Sequence, residues 1–163
     1  PKDSTRVFNL GSKPVWKSFG VVNGKLQVTD QLKVLTAGAV SEDLMDGIVD
    51  LQAQYGKDTN DDNVIDVWTK QLPSVAGTNF SAADITQIKA VRLAVLARSE
   101  HYEKPSTAGG PCEATTAANR PTWGGAANLP FPTFDEPGAL PSCYKYRVFE
   151  TVVPLRNMLW RSE

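Results

Sequence analysis

The segment from Pro105 to Pro141, "PSTAGGPCEATTAANRPTWGGAANLPFPTFDEPGALP", holds seven prolines and five glycines. Proline fixes φ and removes a backbone donor, and glycine loses the most conformational freedom on folding, so no regular helix or central strand runs through such a stretch. A connection this long without periodicity is uncommon in a compact domain unless it is functional or tied down. Two cysteines, Cys112 and Cys143, offer the tie. An even count permits one disulfide in an oxidising compartment, the plain alternative being two buried thiols. The entropy model gives a bridge closing a loop of this length roughly 3 to 4 kcal/mol of stabilisation. Residues 105–142 are therefore expected to form a pinned surface loop within one globular domain spanning 1–163.

Composition narrows the class. A chain of 163 residues, 41% apolar and 21% charged, suits one domain with a sizeable core. The formal net charge of -1 lacks the basic field that holds nucleic acid or an anionic membrane surface. The greasiest run, "VRLAVLA" from Val91 to Ala97, is interrupted by Arg92, so no segment spans a bilayer as a helix. The chain opens "PKDSTRVF" with neither Met nor a signal-like apolar region. It reads as a processed or truncated piece of a longer precursor.

The rest reads mostly as strands. Asn23-Gly24 separates two strand-like runs, and both residues accept the positive φ of a type I′ turn, which predicts a hairpin across residues 17–30. From Ser41, "SEDLMDGIVDLQAQYG" fits a helical stripe (Leu44, Ile48, Leu51, Tyr55) and also a strand alternation (Val49, Leu51, Ala53, Tyr55). A helical turn capped by Ser41 that breaks near Gly47 into a strand is the reading adopted. "SAAD" at Ser81 signals another short helix start, and "IKAVRLAVLARS" is a candidate central strand. "CYKYRVFETVVPLRNMLW" alternates as a strand, with Pro154 confining it to an edge or to a strand end. The expected class is mainly β: an antiparallel sheet with short helices and one long Pro/Gly-rich loop.

"YGKDTNDDNVIDVW", Tyr55 to Trp68, carries the strongest chemical signal. Numbered as a calcium loop, Asp58 takes position 1, Asn60 position 3, Asp62 position 5, Val64 position 7 through its carbonyl and Asp66 position 9, with Ile65 at position 8. Alternate oxygen ligands converge in a tight loop, and a divalent cation would relieve the repulsion among the carboxylates. Asn63 stands at the glycine position and Thr69 where an EF-hand has its bidentate glutamate. Asn visits the left-handed region more readily than other non-glycine residues, while loss of the glutamate points to the modest affinity of extracellular modules, about 10⁻⁴ to 10⁻³ M. Calcium is the expected cofactor, and a plain acidic turn is the alternative. The loop occurs once and has no flanking helix pair, which disfavours an EF-hand or a two-repeat dockerin.

The blocks "LQAQYGKDTNDDNVIDVW", "IKAVRLAVLARS" and "YKYRVFETVVPLRNMLW", in this order and spacing, resemble the C-terminal part of the PilW family, the pilus assembly proteins of type IV pili. They cover most of residues 44 to 163. The family's Asp-x-Asn/Asp-x-Asp-Gly-x-x-Asp loop is kept here except for its glycine. The resemblance implies a pilin-like (α+β) globular domain without its long N-terminal hydrophobic helix. It implies a structural minor pilin that primes pilus assembly near the tip, whose partners are other minor pilins, the major pilin and a tip adhesin. It also implies an extracytoplasmic setting, at the inner membrane and periplasm before assembly and on the surface pilus after it, with membrane contact only through the helix that this chain does not include.

Catalytic constellations are weak. His101 is the only histidine, so a Ser/His/Asp arrangement with Ser99 is less plausible than an ordinary surface histidine. Glu42, Asp43, Asp46 and Asp50 read as dipole-compensating acids rather than a glycosidase pair, and no enzyme is expected. Of four tryptophans, Trp68 is expected to cover the acidic loop and Trp160 to pack in the core, with Trp16 unassigned. Trp123, Phe131 and Phe134 in the Pro/Gly-rich loop are the expected partner contacts. The alternative function is an independent extracellular calcium-stabilised β module that binds carbohydrate or a host surface.

Overall fold

The structure is a computed structural model that describes residues 15–38, 40–70, 85–116, 118–124 and 141–155. Two antiparallel sheets carry the fold, one ordered β1-β2-β3 and the other β5-β4-β6-β7.

The first sheet begins with the expected hairpin. β1 (Lys17–Val22) pairs with β2 (Lys25–Asp30) so that Val22 faces Lys25 and Lys17 faces Asp30. Asn23 and Gly24 between them have φ of 51° and 72°, the two positive values a type I′ turn demands. Asp30 then starts a seven-residue helix, α1 (Gln31–Ala37), by accepting from the Leu32 and Lys33 amides.

The helical turn expected from Ser41 is instead strand β3 (Ser41–Asp46), paired to β2. Its polar residues find partners across the ladder: the Ser41 and Thr29 hydroxyls bond at 2.8 Å, and Asp43 accepts from Lys25 at 2.8 Å and Gln27 at 2.7 Å. Those cross-strand contacts outweigh a local helix signal whose Leu44 and Met45 stay exposed. The break at Gly47 is present as read from the sequence. With φ of 74°, Gly47 alone separates β3 from β4 (Ile48–Lys57) and so passes the chain from one sheet to the other. The Ile48 amide donates to the Gly24 carbonyl, and the Arg98 amide to the Gly47 carbonyl at 2.7 Å, which fastens the corner to both sheets.

In the second sheet β6 (Ile88–Arg98) is central, between β4 and β7 (Tyr146–Pro154), and the short β5 (Val67–Thr69) flanks β4. Among the described strands β7 is an edge, and Pro154 ends it opposite Ala90, where a missing amide is tolerated. Ala94 and Leu96 of β6 are fully buried and, with Trp123, make a core that Val49, Tyr146 and Val148 pack against. The Ser81 helix signal and Trp160 lie outside the described residues. Among the described residues no helix is long and apolar enough to cross a membrane.

Candidate functional site

The connection between β6 and β7 is pinned at one end by a disulfide between Cys112 and Cys143, whose Cα atoms are 4.8 Å apart. Backbone bonds surround it: Glu103 N–H to the Cys143 carbonyl and Thr115 N–H to the Ser142 carbonyl, with the Thr115 hydroxyl donating to the Tyr144 carbonyl at 2.6 Å. Further along, the Arg92 guanidinium donates to the Gly124 carbonyl at 3.0 Å, the Gly124 amide donates to Glu150 at 2.9 Å, and Arg92 pairs with Glu150. These clamps hold Trp123 against Ala94 and Leu96 at 8% exposure. Trp123, the expected partner contact, thus has most of its large apolar indole covered within the chain by the sheet. Phe131 and Phe134 lie outside the described residues.

The acidic loop leaves β4 at Asp58. The Asp58 amide donates to the Gln87 carbonyl and the Asp66 amide to the Lys57 carbonyl, closing the loop at its neck. The Asp58 side chain is fully buried and organises the turn. One oxygen accepts from the Asp61 amide at 2.7 Å and the Asp62 amide at 3.3 Å, and the other from the Asn63 amide at 2.8 Å. Asp61 and Asn63 have φ of 62° and 66°, so the position where a calcium loop has glycine is left-handed, as anticipated for Asn63. Asp62 accepts from the Val64 amide and from the Asn60 side chain, whose own oxygen takes the Asp62 amide. Asp66 accepts from both the amide and the hydroxyl of Thr59. Among the described residues no three His, Cys, Asp or Glu side chains come together as a metal-ligand set.

Sequence reasoning missed Lys89. Its Nζ stands 3.6 Å from Asp58 and 3.6 Å from Asp61, with the lysine side chain 4% exposed and that of Asp58 at 0%. Lys89 lies on β6, distant in sequence, and only the β4–β6 register brings it to the loop. Burial pushes the Asp58 carboxyl up, but the Asn63 and Asp61 amides, the Lys89 charge and the Asp62 amide together hold it below its usual range. Ile65 of the loop and Trp68 of β5 both close on Gly56, where a Cβ would meet them at 2.9 and 3.0 Å. The Trp68 ring lies on Gly56 beside Ile65, and Arg92 stacks on it at 4.1 Å.

The remaining acids have ordinary partners. Asp43 and Asp46 pair with Lys25, and Asp50 accepts from the Leu51 amide and the Gln52 side chain. His101 is exposed, and its carbonyl, not its ring, takes the Ser99 hydroxyl.

What the fold and the loops define is a β domain whose polar clusters are spent on holding structure: a fastened strap across one sheet and a self-bonded acidic turn. The chain belongs to the PilW family, the type IV pilus-assembly protein W family, whose model matches residues 22–157. Its role is thus in type IV pilus assembly, a process of the cell envelope and the pilus, and the family is a pilus assembly component rather than an enzyme family. No curated protein and no solved structure matches the chain.

Proposed function

We propose that this protein is a structural minor pilin that primes assembly of the type IV pilus by presenting surface to other subunits. The observation that carries the reading is the family match over residues 22–157. The geometry is consistent with it, because the ion pairs and hydrogen bonds of the described residues close on one another rather than around a reacting group. The partners on this reading are other minor pilins, the major pilin and a tip adhesin. The protein resides at the inner membrane and periplasm before assembly and on the surface pilus afterwards.

With Trp123 buried, the surface offered to those partners includes the first sheet, where Phe19 and Val22 of β1 and Leu44 and Met45 of β3 are exposed. The test is genetic: loss of the protein lowers surface piliation, and the full-length chain restores it. A Phe19→Ser/Leu44→Ser variant that keeps its melting temperature restores piliation poorly. Normal piliation without the protein overturns the reading, and glycan binding by the domain with piliation intact would favour an independent adhesive module instead.

A further inference from the structure

Asp58, Asp61, Asp62 and Asp66 crowd four carboxylates into nine residues, and something must offset their repulsion. A calcium ion would need six to eight oxygen ligands. Internal hydrogen bonds take up part of the loop's acceptor capacity: Asp58 takes three amides, Asp66 takes Thr59 twice, and Asn60 and Asp62 bond each other. The one Asp58 oxygen that receives a single amide also faces the Lys89 ammonium at 3.6 Å. Lys89 meets the loop from β6 with its side chain 4% exposed, while Asp61, its second partner, is at 84% side-chain exposure. A divalent cation at this carboxylate would stand against an ammonium in a poorly solvated place, and expelling the ammonium would cost its only buried counter-ion among the described contacts.

We infer that Lys89 is the resident cation of the acidic loop, a tethered ammonium facing two of its four carboxylates, Asp58 and Asp61, and that the loop is ordered without calcium. The tether has two consequences. The charge that closes the loop is present whatever the calcium concentration. It also ties the loop by ion pairs to the first residues of the central strand β6, beside the Asp58 amide to Gln87 carbonyl bond, so the loop and the β4–β6 ladder form together.

The experiment is a set of thermal melts of the chain in chelator and in about 5 mM calcium chloride, above the range of extracellular calcium modules. The expected result is a melting temperature that agrees within about 1 °C between the two conditions. Lys89→Met and Asp58→Asn each lower it by roughly 5 °C or more, and the double variant loses clearly less than the sum of the two. A rise of several degrees in calcium that chelator reverses overturns the inference, and so does strict additivity of the two substitutions. If either variant fails to fold, the native chain's response to chelator and calcium decides alone.

Discussion

Trp123 and Leu96, a loop residue and a central-strand residue, share one buried cluster with Ala94, at exposures of 8% and 0%. The cluster turns the Pro/Gly-rich connection from an appendage into part of the core. Trp123→Ala is expected to lower unfolding free energy by about 3 to 5 kcal/mol, the usual range for a large buried aromatic. Urea unfolding followed by far-UV circular dichroism measures it, and a midpoint shift near zero would place the indole outside the core.

The Cys112–Cys143 bridge has its own expected signature. Intact mass falls two hydrogens below the reduced value, and digestion yields one cross-linked peptide. Replacing both cysteines by serine costs roughly 3 to 4 kcal/mol on the chain-entropy model for a separation of 31 residues. The clamp at Arg92, Gly124 and Glu150 survives in that variant, so the strap loosens from the Cys112 end first.

Gly47 is the residue least open to substitution at the sheet corner. Its φ of 74° strains any side chain, and a Cβ would sit 3.2 Å from the Arg98 carbonyl oxygen, a backbone atom with little room to yield. Gly47→Ala is expected to destabilise by about 1 to 3 kcal/mol. Gly20→Ala, where nothing lies within 4 Å, serves as the control with a much smaller effect.

The first sheet carries a pH signature at Asp43. Hydrogen bonds from Lys25 and then Gln27 hold its carboxyl below the ordinary 3.8, burial opposing weakly, while bonds to Asp43 and Asp46 hold Lys25 above 10.5. A depressed acid contributes stability that is present above 3.8 and is lost as pH falls through its folded value. The raised lysine's share is complete below 10.5 and is lost as pH rises through its folded value. Carboxyl titration by NMR should show Asp43 below 3.8 in the native chain and closer to it in Lys25→Met. Because the pair is exposed, salt should shrink the difference, and global stability should barely move.

Much of this architecture was legible because it is written locally. Asn23-Gly24 names its turn, Gly47 its break, and the alternation of Ile88–Arg98 its strand. Ser41–Asp46 was misread because its acids look like a helix start when considered alone; their partners Lys25 and Gln27 belong to another strand. Lys89 was invisible for the same reason, as nothing near it in sequence marks a buried lysine, and its meaning comes from the register that sets it beside Asp58. The burial of Trp123 was illegible for a different reason. A loop composition signals exposure, yet composition is silent on which face of a sheet a loop crosses.

The position of the disulfide also sets a tempo. β6 ends at Arg98 and β7 begins at Tyr146, and the bridge joins Cys112 to Cys143 between them. In the oxidised chain the path from one strand to its neighbour short-circuits most of that excursion. The entropic search for the β6–β7 pairing shrinks with the logarithm of the path, and long-range pairings of this kind are what slow β proteins. Oxidation before docking therefore makes β7 a nearly local partner of β6, and β7 zips onto the sheet at a rate that a reduced chain cannot match.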